Sequence, residues 1–158
     1  MPIQEVMDCS KAIAAKGWKI AFAESATAGR LASEFSLSAD SGNILLGGIA
    51  CYDASIKKEI LRVSSDAIDT FTCESAEVTK IMAENLKLIF PADLFVAITG
   101  LTTSGGSETP AKPVGTMFIH ILFPNKYVQH REVFNGNQEK IVKKTIKKVA
   151  ELLLDNIN

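Results

Sequence analysis

Three cysteines, two histidines, one tryptophan and two tyrosines are all that this 158-residue sequence holds of those residue types. Each scarcity removes a class of protein. Cys9, Cys51 and Cys73 cannot build a disulfide framework, and their spacing fits no zinc motif. His120 and His130 are too few for sites that need several imidazole ligands, so no metal and no cofactor is expected. Charge of one sign is missing as well: 17 Lys plus Arg face 18 Asp plus Glu, a net charge of −1. Without a cationic surplus to meet phosphates, no nucleic-acid partner is expected. No apolar run is long enough to span a membrane, which removes a membrane partner too. The opening stretch from Met1 to Lys11 carries Glu5 and Asp8 and lacks the basic-then-apolar order of a signal peptide. These absences predict a reduced, cytoplasmic protein. What is there is ordinary for a folded globule, with 47% hydrophobic and 22% charged residues. The length predicts one domain over residues 1–158, with about 70% of the unfolded surface buried.

Hydrophobic periodicity alternates between helical and strand-like along the chain. Ile3, Val6, Met7, Ile13 and Ala14 recur at helical spacing up to Gly17, where a helix would stop. Trp18 to Ala23 predicts a buried strand, and a helical pattern runs from Thr27 through Leu31, Ala32 and Phe35 to a turn at Ser38–Gly42. Ile44 to Tyr52 predicts a strand, Asp53 a cap for a helix running to Leu61, and Glu74 to Ile89 a longer helix. Leu94–Thr99 and Thr116–Phe123 predict strands, and Pro124-Asn125-Lys126 a hairpin turn into a further strand, Tyr127–Phe134. Asn135 and Gln138 are spaced like a capping box ahead of a last helix, whose Lys140, Lys143, Lys144, Lys147 and Lys148 read as a solvated face. The alternation predicts an α/β fold: a three-layer α/β/α sandwich on a mixed, mostly parallel sheet.

Three loops fall at the carboxyl ends of predicted strands, the edge where open α/β sheets collect ligands: Glu24–Gly29, Tyr52–Lys57 and Thr99–Gly106. In the first, Ser25 leads into a helix whose free N–H groups would favour negative charge, so it is either a nucleophile beside an oxyanion hole or a plain cap. It is not a nucleophile elbow, because Ala23 and Thr27 stand at the two glycine places. A serine needs a base. Neither histidine is well placed, His120 lying mid-strand and His130 beyond the hairpin. Lys57 is the alternative: an early helical position and the neighbouring Lys58 disfavour its ammonium form, and burial would add to that. Ser55-Ile56-Lys57-Lys58 also satisfies S-x-x-K, but the S-D-N and K-T-G companions of the penicillin-binding enzymes are missing. The third loop offers glycine N–H groups and hydroxyls that could approach an anion, without a P-loop ending or a dinucleotide fingerprint.

Together the loops resemble the CinA C-terminal domain family, whose active members include the PncC-type nicotinamide-nucleotide amidase. The family's A-E-S-C-T-G-G is similar to Ala23–Gly29, and its G-x-x-x-Y-x-x-x-x-K is met by Gly48, Tyr52 and Lys57. Cys73 to Met82 keeps Ser75 and Val78 in step, Ala92–Gly100 resembles A-D-L-A-L-A-x-T-G, and K-P-V-G-T stands unaltered at Lys112–Thr116. Order and spacing hold over roughly residues 3–155. The resemblance implies a three-layer sandwich that hydrolyses nicotinamide mononucleotide to nicotinic acid mononucleotide and ammonia. It implies Ser25 as nucleophile, Lys57 as base and Tyr52 as a hydrogen-bonding partner. Glu24, Ala26, Thr27, Thr99, Gly100, Gly105 and Gly106 would hold the pyridine-nucleotide substrate. The family often carries a larger N-terminal domain; none is in this sequence, and no pyrophosphatase activity is expected of it.

The chain also departs from the pattern. Ala26 replaces the usual cysteine, Ala28 the first glycine of the pair, and Leu101–Gly106 read L-T-T-S-G-G for I-A-G-P-G-G. An alanine at position 28 is harmless in helical backbone and strained at positive φ. Two other readings accompany the amidase: a catalytically degenerate nucleotide-binding module, and a competence-related interaction protein. Apolar residues on predicted strand edges and on the last helix are compatible with a homo-oligomer.

Overall fold

The computed structural model describes residues 2–158. Five strands form one sheet in the order β2-β1-β3-β4-β5: β1 Ile20–Glu24, β2 Leu45–Ala50, β3 Leu94–Gly100, β4 Thr116–Leu122 and β5 Tyr127–Val133. β1 pairs in parallel with β2 and with β3, while β4 runs against both β3 and β5. Four strands therefore share one direction and β4 alone opposes them, which is the mixed, mostly parallel sheet expected. Burial explains the composition of each strand. Central β1 and β4 are buried at every position, and edge strands β2 and β5 alternate.

Each face of the sheet carries its own apolar cluster, so the molecule has three layers. One face packs Ile20, Phe22, Val96 and Ile98 against α1 (Gln4–Ala15), α2 (Arg30–Ser36) and α7 (Gln138–Asn156). The other sets Ala23, Phe95 and Ala97 against α6 (Ala76–Leu86), with Leu61 and Val63 filling in after α4 (Ala54–Glu59). The period-two alternation of β1 and β3 is what divides these residues between the faces. The two remaining helices are a single turn, α3 (Ser41–Ile44), and α5 (Ser65–Phe71).

Several local expectations need correction. α5 has no counterpart in the periodicity, because it buries none of its own side chains. The last helix is capped by Asn137, whose Oδ1 accepts from Lys140 N–H at 2.9 Å, rather than by an Asn135–Gln138 box. The helix after the first loop begins at Arg30, so Ser25 lies in turns ahead of it and not at its N-terminus. Ala28 sits at φ 49°, the strained alternative. The lysine stripe on α7 is the solvated face expected, with Lys140, Lys143, Lys144 and Lys147 exposed, and it carries surface pairs of Lys143 with Glu139, Lys147 with Glu5 and Lys148 with Glu132 and Glu151.

No helix among the described residues is long and apolar enough to cross a membrane, and none of their His, Cys, Asp and Glu side chains cluster as a metal site.

Candidate active site

The chain leaves β1 at Glu24, β2 at Ala50 and β3 at Gly100, all at one edge of the sheet. The β1–β2 connection goes to one side of β1 and β3 returns on the other, so a crevice opens between the carboxyl ends of β1 and β3. Ser25 is the first residue past β1. Its N–H donates to Ile98 O at 3.0 Å, which prolongs the β1–β3 ladder by one bond and fixes its main chain.

Lys57 arrives from the other neighbour. After β2, Cys51 N–H donates to Glu24 O at 2.9 Å, and Asp53 caps α4 by accepting from Ser55 N–H at 2.9 Å. That cap sets the direction of α4 and with it the Lys57 side chain, which runs inward and is 1% exposed. Its Nζ donates to Ser25 Oγ at 2.9 Å, to Cys51 O at 2.7 Å and to Tyr52 O at 3.3 Å. A serine hydroxyl and a lysine amine 32 residues apart are thus in direct contact. Ser25 is 8% exposed, enough to meet a ligand from the cleft side. α4 has only six residues, so Lys57 is near both of its ends and the expected helix-end effect has no purchase. Burial and carbonyl partners define its surroundings instead.

The Glu24–Gly29 loop is braced from beneath. Glu24 is buried, and its carboxylate accepts from Thr27 Oγ1 at 2.6 Å, Leu31 N–H at 2.8 Å and Ala32 N–H at 3.0 Å. It satisfies the orphan donors at the start of α2 from a distance, where the helix dipole also favours a negative group. Among the described residues, the N–H groups of Ala26 and Thr27 have no hydrogen-bond partner. They immediately follow Ser25, where an oxyanion forming on its acyl group would need donors.

A cleft of about 210 Å³ opens over Ser25, walled by Ala26, Tyr52, Glu74 and the loop from Gly100 to Gly106. Of the residues expected to touch a ligand, Ala26, Gly100, Gly105 and Gly106 line it beside Ser25 and Tyr52. Glu24 and Thr99 do not, and Thr27 lines only a second hollow beside it. Glu24 and Thr27 brace one another, and fully buried Thr99 hydrogen-bonds Thr79 of α6 at 2.8 Å, holding the end of β3. Tyr52 reaches Lys57 through its carbonyl, and its ring is 63% exposed at the cleft wall. A second hollow of about 610 Å³ adjoins the cleft, sharing Ala26 and Tyr52 and reaching Arg30 and the start of α7. Another, of about 350 Å³ at the opposite edge, holds Lys87 and Asp93 but no serine, threonine or cysteine.

Glu74 was not legible as a cleft residue. The only signal near it is Ser75, which caps α6 by accepting from Val78 N–H at 3.2 Å and so fixes where its neighbour stands. The cysteines are poor nucleophiles. Burial pushes the Cys51 thiol up to about 11 and the Cys9 thiol up to about 12. His120 is packed against Tyr127 and held below its usual pKa by burial, and neither it nor His130 lines the cleft.

The sequence matches the CinA C-terminal domain model over residues 4–157. This chain belongs to that family. A CinA-like protein of Leptospira biflexa is 37% identical over 126 residues, covering 78% of this chain and 30% of the relative. One from Thermotoga neapolitana is 36% identical over 122 residues, covering 77% of this chain and 29% of the relative. The chain therefore spans about 30% of the length of these curated relatives. A competence-damaged protein (CinA) superfamily structure from Klebsiella pneumoniae superposes with TM-score 0.91 at 24% identity, covering 98% of this chain and 96% of that one. One from Enterobacter cloacae gives TM-score 0.89 at 25% identity, covering 97% and 92%.

Proposed function

We propose that this CinA-family domain is a serine amidohydrolase that releases ammonia from the carboxamide of nicotinamide mononucleotide. The observation that carries the reading is the buried contact between Lys57 Nζ and Ser25 Oγ at 2.9 Å. Three acceptors surround Nζ. An ammonium would give each of them a proton, whereas an uncharged amine has two donors and one lone pair. In the uncharged form that the mechanism requires, the two donors stay on Cys51 O and Tyr52 O and the lone pair replaces the N–H that reaches Ser25 Oγ. The amine then takes the serine proton as Oγ attacks the carboxamide carbon. The Ala26 and Thr27 N–H groups receive the developing oxyanion, and the proton on Nζ leaves with ammonia. Water, deprotonated by the same amine, cleaves the resulting ester to the carboxylic acid and frees Ser25.

Size supports a divided site. The 210 Å³ cleft lies below the usual range for small-ligand pockets and suits the ring and its amide. The adjoining hollow would take the ribose phosphate beside Arg30, in competition with Glu139, which pairs with Arg30 at 3.7 Å, with the Tyr52 ring as the shared wall. The test is ammonia release from nicotinamide mononucleotide by the purified chain, with Ser25→Ala as control. We expect release from the parent and none above background from the variant, at equal thermal stability. Full activity in Ser25→Ala would remove the serine from the chemistry.

A further inference from the structure

We propose that Glu74 makes the cleft selective for an amide carried on a positively charged ring, favouring a pyridinium over an uncharged ring of the same shape. The substrate pair rests on the amidase reading; the charge preference does not.

The first support is the charge inventory of the cleft. Glu74 is the only ionisable acid or base of standard charge lining it among the described residues. No Lys or Arg lines it, so nothing cationic there competes with a bound cation. In the glycine loop, which on sequence could have held an anion, the two glycine N–H groups nearest Glu108 are already engaged. Glu108 accepts from Gly105 N–H and Gly106 N–H, both at 2.8 Å, and these bonds hold its carboxyl below the usual range. A phosphate or carboxylate approaching Gly105 and Gly106 would have to displace that carboxylate while meeting the charge of Glu74.

The second support is how Glu74 is held. Ser107 Oγ donates to its Oε2 at 2.5 Å, which ties the side chain to the loop that forms the facing wall. Among the described residues Oε1 has no hydrogen-bond partner. Lys112, the cation beside it, is engaged elsewhere: Nζ donates to Thr72 Oγ1 at 2.7 Å and to the main-chain carbonyl of Glu74 at 2.9 Å, with no ion pair to the carboxylate. A negative oxygen is therefore free on the wall of the cleft that holds Ser25. A pyridinium whose carboxamide sits at Ser25 would place its ring charge in the same small volume.

The experiment measures equilibrium binding of 1-methylnicotinamide, a cation, and of nicotinamide, its uncharged counterpart, to the Ser25→Ala chain by calorimetry. We expect the cation to bind about five- to tenfold more tightly, the range of a partly screened charge pair. Glu74→Gln should bring the two within about twofold. Glu74 lies before the cap of α6 and its side chain makes no capping bond, so the helix start is intact in that variant. Equal binding of the two probes by Ser25→Ala would overturn the proposal, and so would a cation preference that survives in Glu74→Gln. A cation preference without ammonia release from the parent chain would leave the charge selectivity standing and refute the amidase reading. Ammonia release without the preference would do the reverse.

Discussion

In the proposed mechanism two positions carry the chemistry, and a third records what the chain gave up around them. Lys57 has a buried amine whose nearest polar atoms are one hydroxyl and two carbonyls, and Ser25 is the only one of them that can give it a proton. Lys57→Met keeps the length of the side chain and removes the base. Ammonia release should fall at least about 10³-fold, with the loss in kcat rather than in KM, because the missing step is proton removal. A loss confined to KM would mean that the amine binds substrate and does not take its proton. Ala28 is the third position. At φ 49° it pays for a left-handed backbone that glycine adopts freely. Ala28→Gly should stabilise the fold by about 0.5–1 kcal/mol and raise the melting midpoint by roughly 2 °C, readable by scanning calorimetry. Both alanine outcomes were open in the sequence, since a residue between a strand and a helix does not announce its φ.

At the scale of elements, the loop after β1 is held by a carboxylate from within. Glu24 joins the end of β1 to the first turn of α2 through two N–H groups and one hydroxyl. Glu24→Ala would strand these donors in a buried place and should cost about 3 kcal/mol in urea unfolding. The same variant should lose activity in its folded form, because the Ala26 and Thr27 N–H groups depend on that brace for their direction. Unchanged stability would show that water replaces the carboxylate at no cost. A comparable constraint acts on the K-P-V-G-T segment. Gly115 has φ 98°, and a Cβ there would lie 2.1 Å from Phe134 O, so the segment tolerates nothing larger. Its N–H donates to Leu101 O and its carbonyl accepts from Phe134 N–H, which anchors the returning arm of the cleft loop to β4 and β5. The motif was visible as letters; its task is to return the loop to the sheet.

At the scale of the whole molecule, two apolar layers cover the faces of the sheet and leave a cleft at the carboxyl ends of its parallel strands. The interior thiols report on that closure. Cys9 and Cys51 are pushed by burial from the ordinary 9.0 to about 12 and about 11. A thiol whose folded pKa is raised binds its proton longer folded than unfolded, so stability is intact below pH 9 and falls as pH rises from about 9 to 11. The two together should cost about 2–3 kcal/mol per pH unit in that window, and Cys9→Ser, Cys51→Ser or both should flatten the fall. A stability profile without that decline would mean the thiols ionise in place. Below pH 9, a thiol reagent should label Cys73 alone, the one half-buried cysteine.

The sequence by itself determined the order of the strands, most of the helices and the three layers, and the family resemblance named Ser25 and Lys57 as a pair. It could do so because strand and helix periods, Gly17 after α1 and Asp53 before α4 are local facts. It did not determine which residues near the carboxyl ends of the strands face a ligand. Thr99 belongs to a ligand-bearing loop in the sequence, yet it turns inward to Thr79, while Thr27 donates its hydroxyl to Glu24 and lines the adjoining hollow. Glu74 belongs to no such loop and stands on the cleft wall. Only the tertiary structure decided this for Thr99 and Glu74, because the direction of their side chains is set by partners 20 and 33 residues away. Those partners stabilise it only after the sheet has brought them together.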